Sequence, residues 1–323
     1  MPLDLRTLTL GERIQHPFLV LEVNTKDGAN GPFTLLALGN SSGRIWSAPI
    51  WADEALRIAG ITKGMIVQCV ADVSNYNGKH QLKISSLQIL PRDSVPWEEL
   101  LPSVGDVSRY WEQLDRVRRE LRAPRLRAVL DLFYENAEFR AQYERCPASP
   151  VGHHAMLGGL LQHTWEVVAM ARAIAKYARA DAELVTAGAL LHDIGKVEAY
   201  RWDGAFQHSE SGALLGHVAL GLLMLERRYR ETQPPPCTPE ELLVLQHLIG
   251  SHHGQLEFGA TARPMTLEAE VLHYADNASA KTSSMQDALS DTEVFEGDAL
   301  LSAKPVWYVD RRRVWRGRPD FGR

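Results

Sequence analysis

Apolar and polar positions alternate in short runs along the N-terminal part of the chain, up to residue 90. The segments "FLVLEVNT" (18–25) and "FTLLALGN" (33–40) are rich in residues typical of strands, and the polar segment "KDGANG" separates them. The segment "SSGRIWSAPIW" (41–51) continues the pattern, and residues 52–60 predict a short helix. Residues 65–90 predict two strands around "NYNGKH", because Asn-Gly favours a tight hairpin turn. About five strands of this length are typical of a small β-barrel.

The hydrophobic period changes after a proline-rich stretch. Residues 91–106, "PRDSVPWEELLPSVGD", interrupt the pattern and predict a linker. Apolar positions then recur at helical spacing in further segments. These predicted helices cover residues 107–121, 124–135, 158–178, 182–193, 212–230, 239–253 and 266–286. The pattern therefore predicts a multidomain α+β protein, with a β-barrel followed by an all-α domain.

The C-terminal segment, "LLSAKPVWYVDRRRVWRGRPDFGR", differs from both parts and predicts a short β-hairpin or a basic tail. Its arginines and large aromatic residues are Arg311, Arg312, Arg313, Arg316, Arg318 and Arg323, and Trp307, Tyr308 and Trp315.

Composition and charge place the chain among ordinary globular proteins. Its 323 residues suggest two domains, and 45% hydrophobic with 23% charged residues is typical of a soluble protein. We expect no signal peptide, because no basic segment followed by an apolar run lies near the N-terminus. We expect no membrane span, because no apolar run approaches about 18 residues. The widely separated Cys69, Cys146 and Cys237 fit a reducing cytoplasm. The net charge of −5 disfavours binding nucleic acid by overall charge, but permits a local basic groove.

Histidine is concentrated in the helical part, where ten of the 12 histidines lie between His153 and His273. Residues able to bind a metal occur in or at the ends of successive predicted helices: His163, His192, Asp193, His217, His252, His253 and Asp276. Helical bundles build metal sites from such inward-facing side chains. Imidazole and carboxylate ligands suit Mn²⁺, Fe²⁺, Zn²⁺, Co²⁺ or Ni²⁺, and the absence of nearby thiolates disfavours a structural zinc site. Asp193 could bridge two metals about 3.5–4 Å apart.

Three nearby residues carry less certain assignments. His153 and His154, in the loop "SPVGHHAMLGG", could bind a metal, support a ligand or be exposed. Lys196, in "HDIGK", could contact a phosphate as a point charge, or could be a lysine favoured by the C-terminal dipole of a helix.

These motifs resemble those of the HD-domain superfamily of metal-dependent phosphohydrolases, in which a His, a His-Asp pair and a distant Asp recur. Here the matching residues are His163, His192-Asp193 and Asp276, and the further histidines resemble members that bind a second metal. The strings "HHAMLGGLLQHT", "LLHDIGK", "GALLGH", "SHHGQLEFG" and "EAEVLHYADN" occur in the order typical of the YhaM-type 3′-to-5′ exoribonuclease family. That family joins an OB-fold to an HD domain. The segment "SHHGQLEFGATARP" lacks the Gly-Tyr-Pro of the branch that cleaves cyclic dinucleotides.

The resemblance implies an OB-fold nucleic-acid-binding domain at residues 1–92, a linker at 93–106, an HD domain at 107–290 and an extension at 291–323. OB-folds bind single strands through stacked aromatic rings and a basic track. The candidate contacts are Trp46, Trp51 and Tyr76 for stacking and Arg44, Lys79 and Lys83 for phosphates.

The function we expect is that of a metal-dependent 3′-to-5′ exonuclease, which hydrolyses single-stranded RNA or DNA to nucleoside 5′-monophosphates with a metal-activated hydroxide. Asp193 and Lys196 are the candidate catalytic residues. We expect two divalent metals, with Mn²⁺ or Fe²⁺ favoured over Zn²⁺, Co²⁺, Ni²⁺ or Mg²⁺. The expected protein is cytoplasmic, does not bind membranes and could form a homo-oligomer. The alternatives are a nucleotide or cyclic-nucleotide phosphohydrolase, and a catalytically inactive nucleic-acid-binding regulator.

Overall fold

The computed structural model describes residues 3–29, 31–76, 78–202, 205–291 and 294–321. The chain divides into two compact units, of which the first comprises residues 1–103 with 202–205 and the second comprises 104–201 with 206–323. Within the described ranges, no helix combines the length and the apolar character needed to cross a membrane.

The first unit is a closed β-barrel. Its strands are β1 (Arg13–Gly28), β2 (Gly31–Asn40), β3 (Gly43–Ser47), β4 (Ile50–Trp51), β5 (Ile66–Tyr76) and β6 (Lys79–Leu90). Five of them close the barrel in the order β1-β2-β3-β6-β5 and back to β1, while β4 pairs with β2. The β3–β6 pair is parallel and the others in the ring are antiparallel. This is the predicted five-stranded OB-like barrel.

The alternation of the sequence determines which side chains fill the barrel, because successive residues of a strand point to opposite faces. Leu82 and Ile84 are buried in the core together with Phe18 and Leu36, whereas Lys83 is exposed. The helix predicted at 52–60 is a 3₁₀ helix, Ala52–Ile58. Asn77, in the predicted Asn-Gly turn, lies outside the described residues.

Helices dominate the rest of the chain. They are α1 (Trp97–Leu100), α2 (Ser108–Glu120), α3 (Pro124–Tyr134), α4 (Ala137–Tyr143), α5 (Gly159–Ala178), α6 (Ala182–Leu191), α7 (Lys196–Ala199), α8 (Glu210–Glu231), α9 (Pro239–Ser251) and α10 (Leu267–Ser290). Strands β7 (Tyr200–Arg201) and β8 (Gln207–His208) form a small hairpin between α7 and α8. The seven long helices correspond to the predicted ones, whereas α1, α4 and α7 are too short for their period to be recognised.

Polar side chains define where the long helices begin. The side chains of Asp181, Ser209 and Thr266 accept hydrogen bonds from backbone N–H groups in the first turns of α6, α8 and α10. Thr238 and Glu241 form a complete capping box at the start of α9, and Pro239 occupies its first position. These caps set the helix bounds close to those predicted.

Helix α6 lies at the centre of the helical unit, with α5, α9 and α10 packed against it. Every residue from Val185 to Leu191 is buried. A Cβ at Gly188 would lie 2.8 Å from a methyl group of Leu248, so the glycine favours the close approach of α6 and α9. An apolar helix buried on all sides therefore carries the His-Asp pair that follows it into the interior.

The C-terminal extension packs on the end of α10. Phe295, Val306, Val309 and Val314 form a small core with Ala288 of that helix. Isolated antiparallel bridges join Leu301 to Trp315 and Val306 to Arg312, where the sequence predicts a hairpin. Arg323 lies outside the described residues.

Candidate metal centre

The His-Asp pair occupies a tight turn between α6 and α7. His192 and Asp193 are buried, with 0% and 1% of their surfaces exposed. Gly195, in the same turn, lies against α8. A Cβ there would be 2.1 Å from the carbonyl oxygen of His217 and 2.3 Å from the amide nitrogen of Gly221. The glycine that follows the pair therefore allows α8 to bring His217 next to the turn.

A first cluster of ligand atoms forms around one oxygen of Asp193. The Nε2 atoms of His163 and His192 lie 3.4 and 3.1 Å from Asp193 Oδ2. Asp276, from α10, places its Oδ1 3.1 Å from Nε2 of His163 and 3.8 Å from Nε2 of His192. His163 of α5, the His-Asp pair of the turn and Asp276 of α10 are distant from one another in the sequence. They meet in the fold, as the motif predicts.

A second cluster forms around the other oxygen of Asp193. Ligand atoms of His217, His252 and His253 all lie within 4.8 Å of one another. Asp193 Oδ1 is 3.5 Å from Nε2 of His217 and 3.7 Å from Nε2 of His252. The two oxygens of Asp193 therefore face different sets of histidines.

Backbone carbonyl groups orient three of these rings. Nδ1 of His192 donates to the carbonyl of Ala189 at 2.8 Å, and Nδ1 of His252 donates to that of Ile249 at 2.7 Å. Nδ1 of His253 donates to the carbonyl of Phe258 at 2.6 Å. A carbonyl oxygen can only accept a hydrogen bond, so Nδ1 carries the proton. In the neutral ring, Nε2 then carries a lone pair that can bind a metal. Metal-binding histidines have this arrangement.

The residues present fit a divalent metal. Asp193 Oδ1, His217 Nε2 and His252 Nε2 are buried, and no described group forms a hydrogen bond with them. Leaving a buried polar atom without a partner typically costs about 1–3 kcal/mol, and a metal ion would satisfy all three atoms. The nitrogen and oxygen donors match the preferences of Mn²⁺, Fe²⁺, Zn²⁺ and related ions.

The charge states of the ligands also suit a cation. Burial opposes ionisation of Asp193, but His192 and Lys196 hold the pKa of its carboxyl well below the usual range. The pKa of Asp276 is also lowered. Burial alone would raise it, but the hydrogen bond with His163 outweighs burial. Burial, aided by the charge of Lys196, lowers the pKa of His217 to about 3, and burial also lowers that of His252. The carboxylates are therefore charged and these two imidazoles neutral, as metal binding requires.

Lys196 lies beside the candidate ligands. It is the first residue of α7, it is buried, and its Nζ lies 2.6 Å from Asp193 Oδ2. Burial alone would lower its pKa, but Asp193 outweighs that effect and raises the pKa to about 12. The two sequence interpretations of Lys196, a phosphate contact and a lysine favoured by a helix dipole, stay predictions, and the ion pair with Asp193 adds a contact that the sequence does not signal.

Two residues that the sequence interpretation missed support His163. Ser279 Oγ donates to Glu166 Oε2 at 2.8 Å and lies 2.9 Å from Nδ1 of His163. Its single proton is used for Glu166, so its oxygen accepts from Nδ1–H of His163, which directs Nε2 of that ring toward Asp193 and Asp276. Glu166 follows His163 by three residues and Ser279 follows Asp276 by three. Each therefore lies on the helix face that carries a ligand.

The two histidines of the preceding loop lie beside this group. His154 is buried, and its Nε2 is 3.2 Å from Glu166 Oε2. Burial opposes ionisation of Glu166, but the bond with His154 and its other hydrogen bonds lower its pKa to about 2. The ring of His153 is centred 5.6 Å from that of His163, and burial lowers its pKa to about 3. His154 therefore supports the group around His163 through Glu166.

The candidate nucleic-acid contacts lie on the outer surface of the barrel. Arg44 and Trp46 share one face of β3, and Trp46 is opposite Gln81 of β6. Tyr76 pairs with Lys79 across the β5–β6 hairpin, and both are exposed. Lys83 follows Gln81 by two residues and so faces the same way. The ring of Trp51 packs against Phe33 of β2, with centroids 5.2 Å apart.

Comparison with known proteins gives two kinds of match. The HD domain family matches residues 160–281, a range that contains every proposed ligand. The 3′-5′ exoribonuclease YhaM of Bacillus subtilis (strain 168) is 32% identical over 287 residues, which cover 87% of this chain and 88% of the relative. The 3′-5′ exoribonuclease YhaM of Oceanobacillus iheyensis is 29% identical over 317 residues, covering 97% of this chain and 96% of the relative. HD domains are metal-dependent, in agreement with the two ligand clusters.

The bond between Ser279 and His163 predicts a measurable loss of metal affinity. Ser279→Ala removes the acceptor that fixes the ring of His163, and loss of such a partner weakens metal binding by about 10- to 100-fold. The measurement is competition with a metal chelator. Ser283→Ala is the control, because Ser283 is also buried and lies one turn further along α10. Equal affinities for the two variants would contradict the role of Ser279.

Proposed function

Because this chain belongs to the family of the 3′-5′ exoribonuclease YhaM, we propose that it is a metal-dependent 3′-5′ exonuclease of single-stranded RNA. The observation that carries the proposal is the position of Asp193, whose two oxygens each face a separate set of imidazoles. Such an arrangement suits two metals, and two-metal sites are common among enzymes that cleave phosphate esters.

The ligands divide between two positions. The first is formed by His163, His192 and Asp276, and the second by His217, His252 and His253, with Asp193 shared. Metals held by these residues would supply a hydroxide nucleophile at neutral pH and would offset the charge of a phosphate. The donor set favours Mn²⁺ or Fe²⁺.

Asp193 and Lys196 are the proposed catalytic residues. Asp193 is buried and its Oδ2 is paired with the ammonium of Lys196, while its Oδ1 faces the second cluster. Lys196 also adds a positive charge to the site, which favours an anionic substrate and stabilises charge that develops on the phosphate.

The exposure of the ligands indicates the side from which a phosphate enters. The side chains of Asp276 and His217 are 14% and 15% exposed, whereas those of His163, His192 and His252 are fully buried. A substrate would therefore approach over Asp276 and His217, and the buried ligands would hold the metals from below.

The barrel would supply affinity for a single strand. Tyr76 would stack on a base, and Lys79 and Lys83 would contact phosphates, because all three lie on the exposed outer face of the β5–β6 hairpin. These contacts do not depend on base identity, which suits an enzyme that releases nucleoside 5′-monophosphates one after another.

We expect 5′-labelled single-stranded RNA incubated with Mn²⁺ to give a ladder that shortens from its 3′ end. Asp193→Asn should lower the rate by more than about 10³-fold, or about 4 kcal/mol of barrier, because the shared ligand loses its charge. Asp298→Asn, a substitution at an exposed position of the same unit, should retain full activity. Intact RNA with hydrolysis of free nucleotides would instead indicate a nucleotide phosphohydrolase, and RNA binding without hydrolysis would indicate a regulator.

The role of the barrel can be measured separately, with Asp193→Asn as the background so that RNA is not degraded. Tyr76→Ala should weaken binding of single-stranded RNA by about 1–3 kcal/mol, the usual value of one stacked base. Lys79→Gln or Lys83→Gln should each reduce the slope of log affinity against log salt by about 0.7. Tyr177→Ala, at an exposed tyrosine of α5, is the control. Unchanged affinity and slope in fluorescence anisotropy would exclude this face as the binding surface.

A further inference from the structure

The loop after α9 is an ordered structure that begins at two metal ligands. His252 and His253 follow the last residue of the helix, and a 3₁₀ turn, Leu256–Phe258, comes next. The turn is closed by backbone hydrogen bonds from Phe258 N to the Gln255 carbonyl at 3.1 Å and from Ala260 N to the same carbonyl at 3.3 Å.

Glycine at the start of the loop is required by the packing. Gly254 has a φ of +75°, and a Cβ there would lie 2.3 Å from the ring of His273. His273 in turn donates from Nδ1 to the carbonyl of His252 at 2.8 Å. At the other end, Thr261 N donates to the carbonyl of Gly250 in α9 at 2.8 Å. Both ends of the loop are thus fixed to the helices that hold the ligands.

Phe258 is linked directly to the second ligand cluster. Its carbonyl accepts the hydrogen bond from Nδ1 of His253, so its position relative to that ligand is set by one short contact. Its side chain is nevertheless 70% exposed, and that of Leu256 is 55% exposed. Burial of a side chain of this size is favourable, and here most of its apolar surface remains exposed to solvent.

A second exposed apolar segment precedes another ligand of the same cluster. Leu214 and Leu215 are both exposed and precede His217 in α8. The helix is interrupted between them and His217, at Gly216, whose φ is +73° and ψ 158°. The rings of His217 and His253 are centred 4.9 Å apart, so exposed apolar residues are close in the chain to two neighbouring ligands of this cluster.

The chemistry of the loop selects the part of a nucleotide that it would bind. In the proposed reaction, the phosphate oxygens lie at the metal ligands. A second phosphate on the loop would be repelled by the exposed carboxylate of Glu257. The base is the large flat part of the same nucleotide, and it stacks on aromatic rings whatever its identity.

We propose that Phe258, with Leu256 beside it, forms a stacking surface for the base of the 3′-terminal nucleotide whose phosphate is at the metal centre. The proposal rests on the proposed exonuclease function and adds a base subsite to it. Such a subsite would position the terminal nucleotide whichever base it carries. It would also make the rate of cleavage depend on whether a base is present.

The test compares two RNA substrates of equal length, one ending in an ordinary nucleotide and one ending in an abasic nucleotide. Wild-type protein should remove the abasic terminus with a kcat/KM about 5- to 150-fold lower, the equivalent of about 1–3 kcal/mol of stacking. Phe258→Ala should lose the same factor on the ordinary terminus and change little on the abasic one. Phe258→Trp should restore the preference, and Phe321→Ala, which removes an exposed ring elsewhere in the unit, should keep it.

Equal losses on both substrates with Phe258→Ala would overturn the proposal, because the residue would then act only by orienting His253. An unchanged preference together with a change of mass in light scattering would also overturn it, and would assign the surface to a second copy of the chain. If wild-type protein cleaves neither RNA, the exonuclease function fails. The base subsite is then tested by calorimetry with adenosine 5′-monophosphate and ribose 5-phosphate. Stronger binding of the former that is lost in Phe258→Ala supports the subsite, and equal binding rejects it.

Discussion

The carboxylate of Asp193 is an ionised group inside the protein, and the organisation of the helical unit follows from the need to stabilise it. A buried charge is costly unless it is paired, and here the ammonium of Lys196 is the cation that pairs with Oδ2. The ammonium occupies one side of Oδ2 only, so Oδ1 is left facing His217 and His252 without a hydrogen bond. A metal would complete these interactions, so the arrangement of donors fits a cation site.

The surrounding fold holds this arrangement by packing and by backbone hydrogen bonds. Helix α6 is apolar on all sides and delivers the His-Asp turn to the interior, and Gly195 lets α8 approach it. Three imidazoles are oriented by carbonyl groups of their own or adjacent turns, and His163 is oriented by Ser279. The ligand geometry therefore depends on the helix ends and on the contact between α5 and α10.

Much of this could be predicted from the sequence, because the main signals are local. Alternation predicted the strands of the barrel, helical spacing predicted the long helices, and the ligand series on successive helices predicted that His163, the His-Asp pair and Asp276 would meet. The ion pair of Lys196 with Asp193 and the group around Glu166 could not be predicted, because they arise from a tight turn and from packing between distant helices. Helix α4 was missed because its seven residues offer only Phe139 and Tyr143 as a buried pair. No periodic pattern in the sequence marks the exposed ring of Phe258. Its proposed role follows from a contact in the fold, the hydrogen bond that its carbonyl accepts from Nδ1 of His253.

We propose that Asp193 is shared between two metal positions. The number of metal ions per chain tests this sharing, combined with anomalous scattering from crystals grown with Mn²⁺, for wild-type protein and for a His217→Ala/His253→Ala variant. We expect two anomalous peaks on opposite sides of the Asp193 carboxylate in the wild type, and in the variant a single peak beside His163 and Asp276. One fully coordinated metal in the wild type, with His217 not among its ligands, would show that Asp193 is not shared.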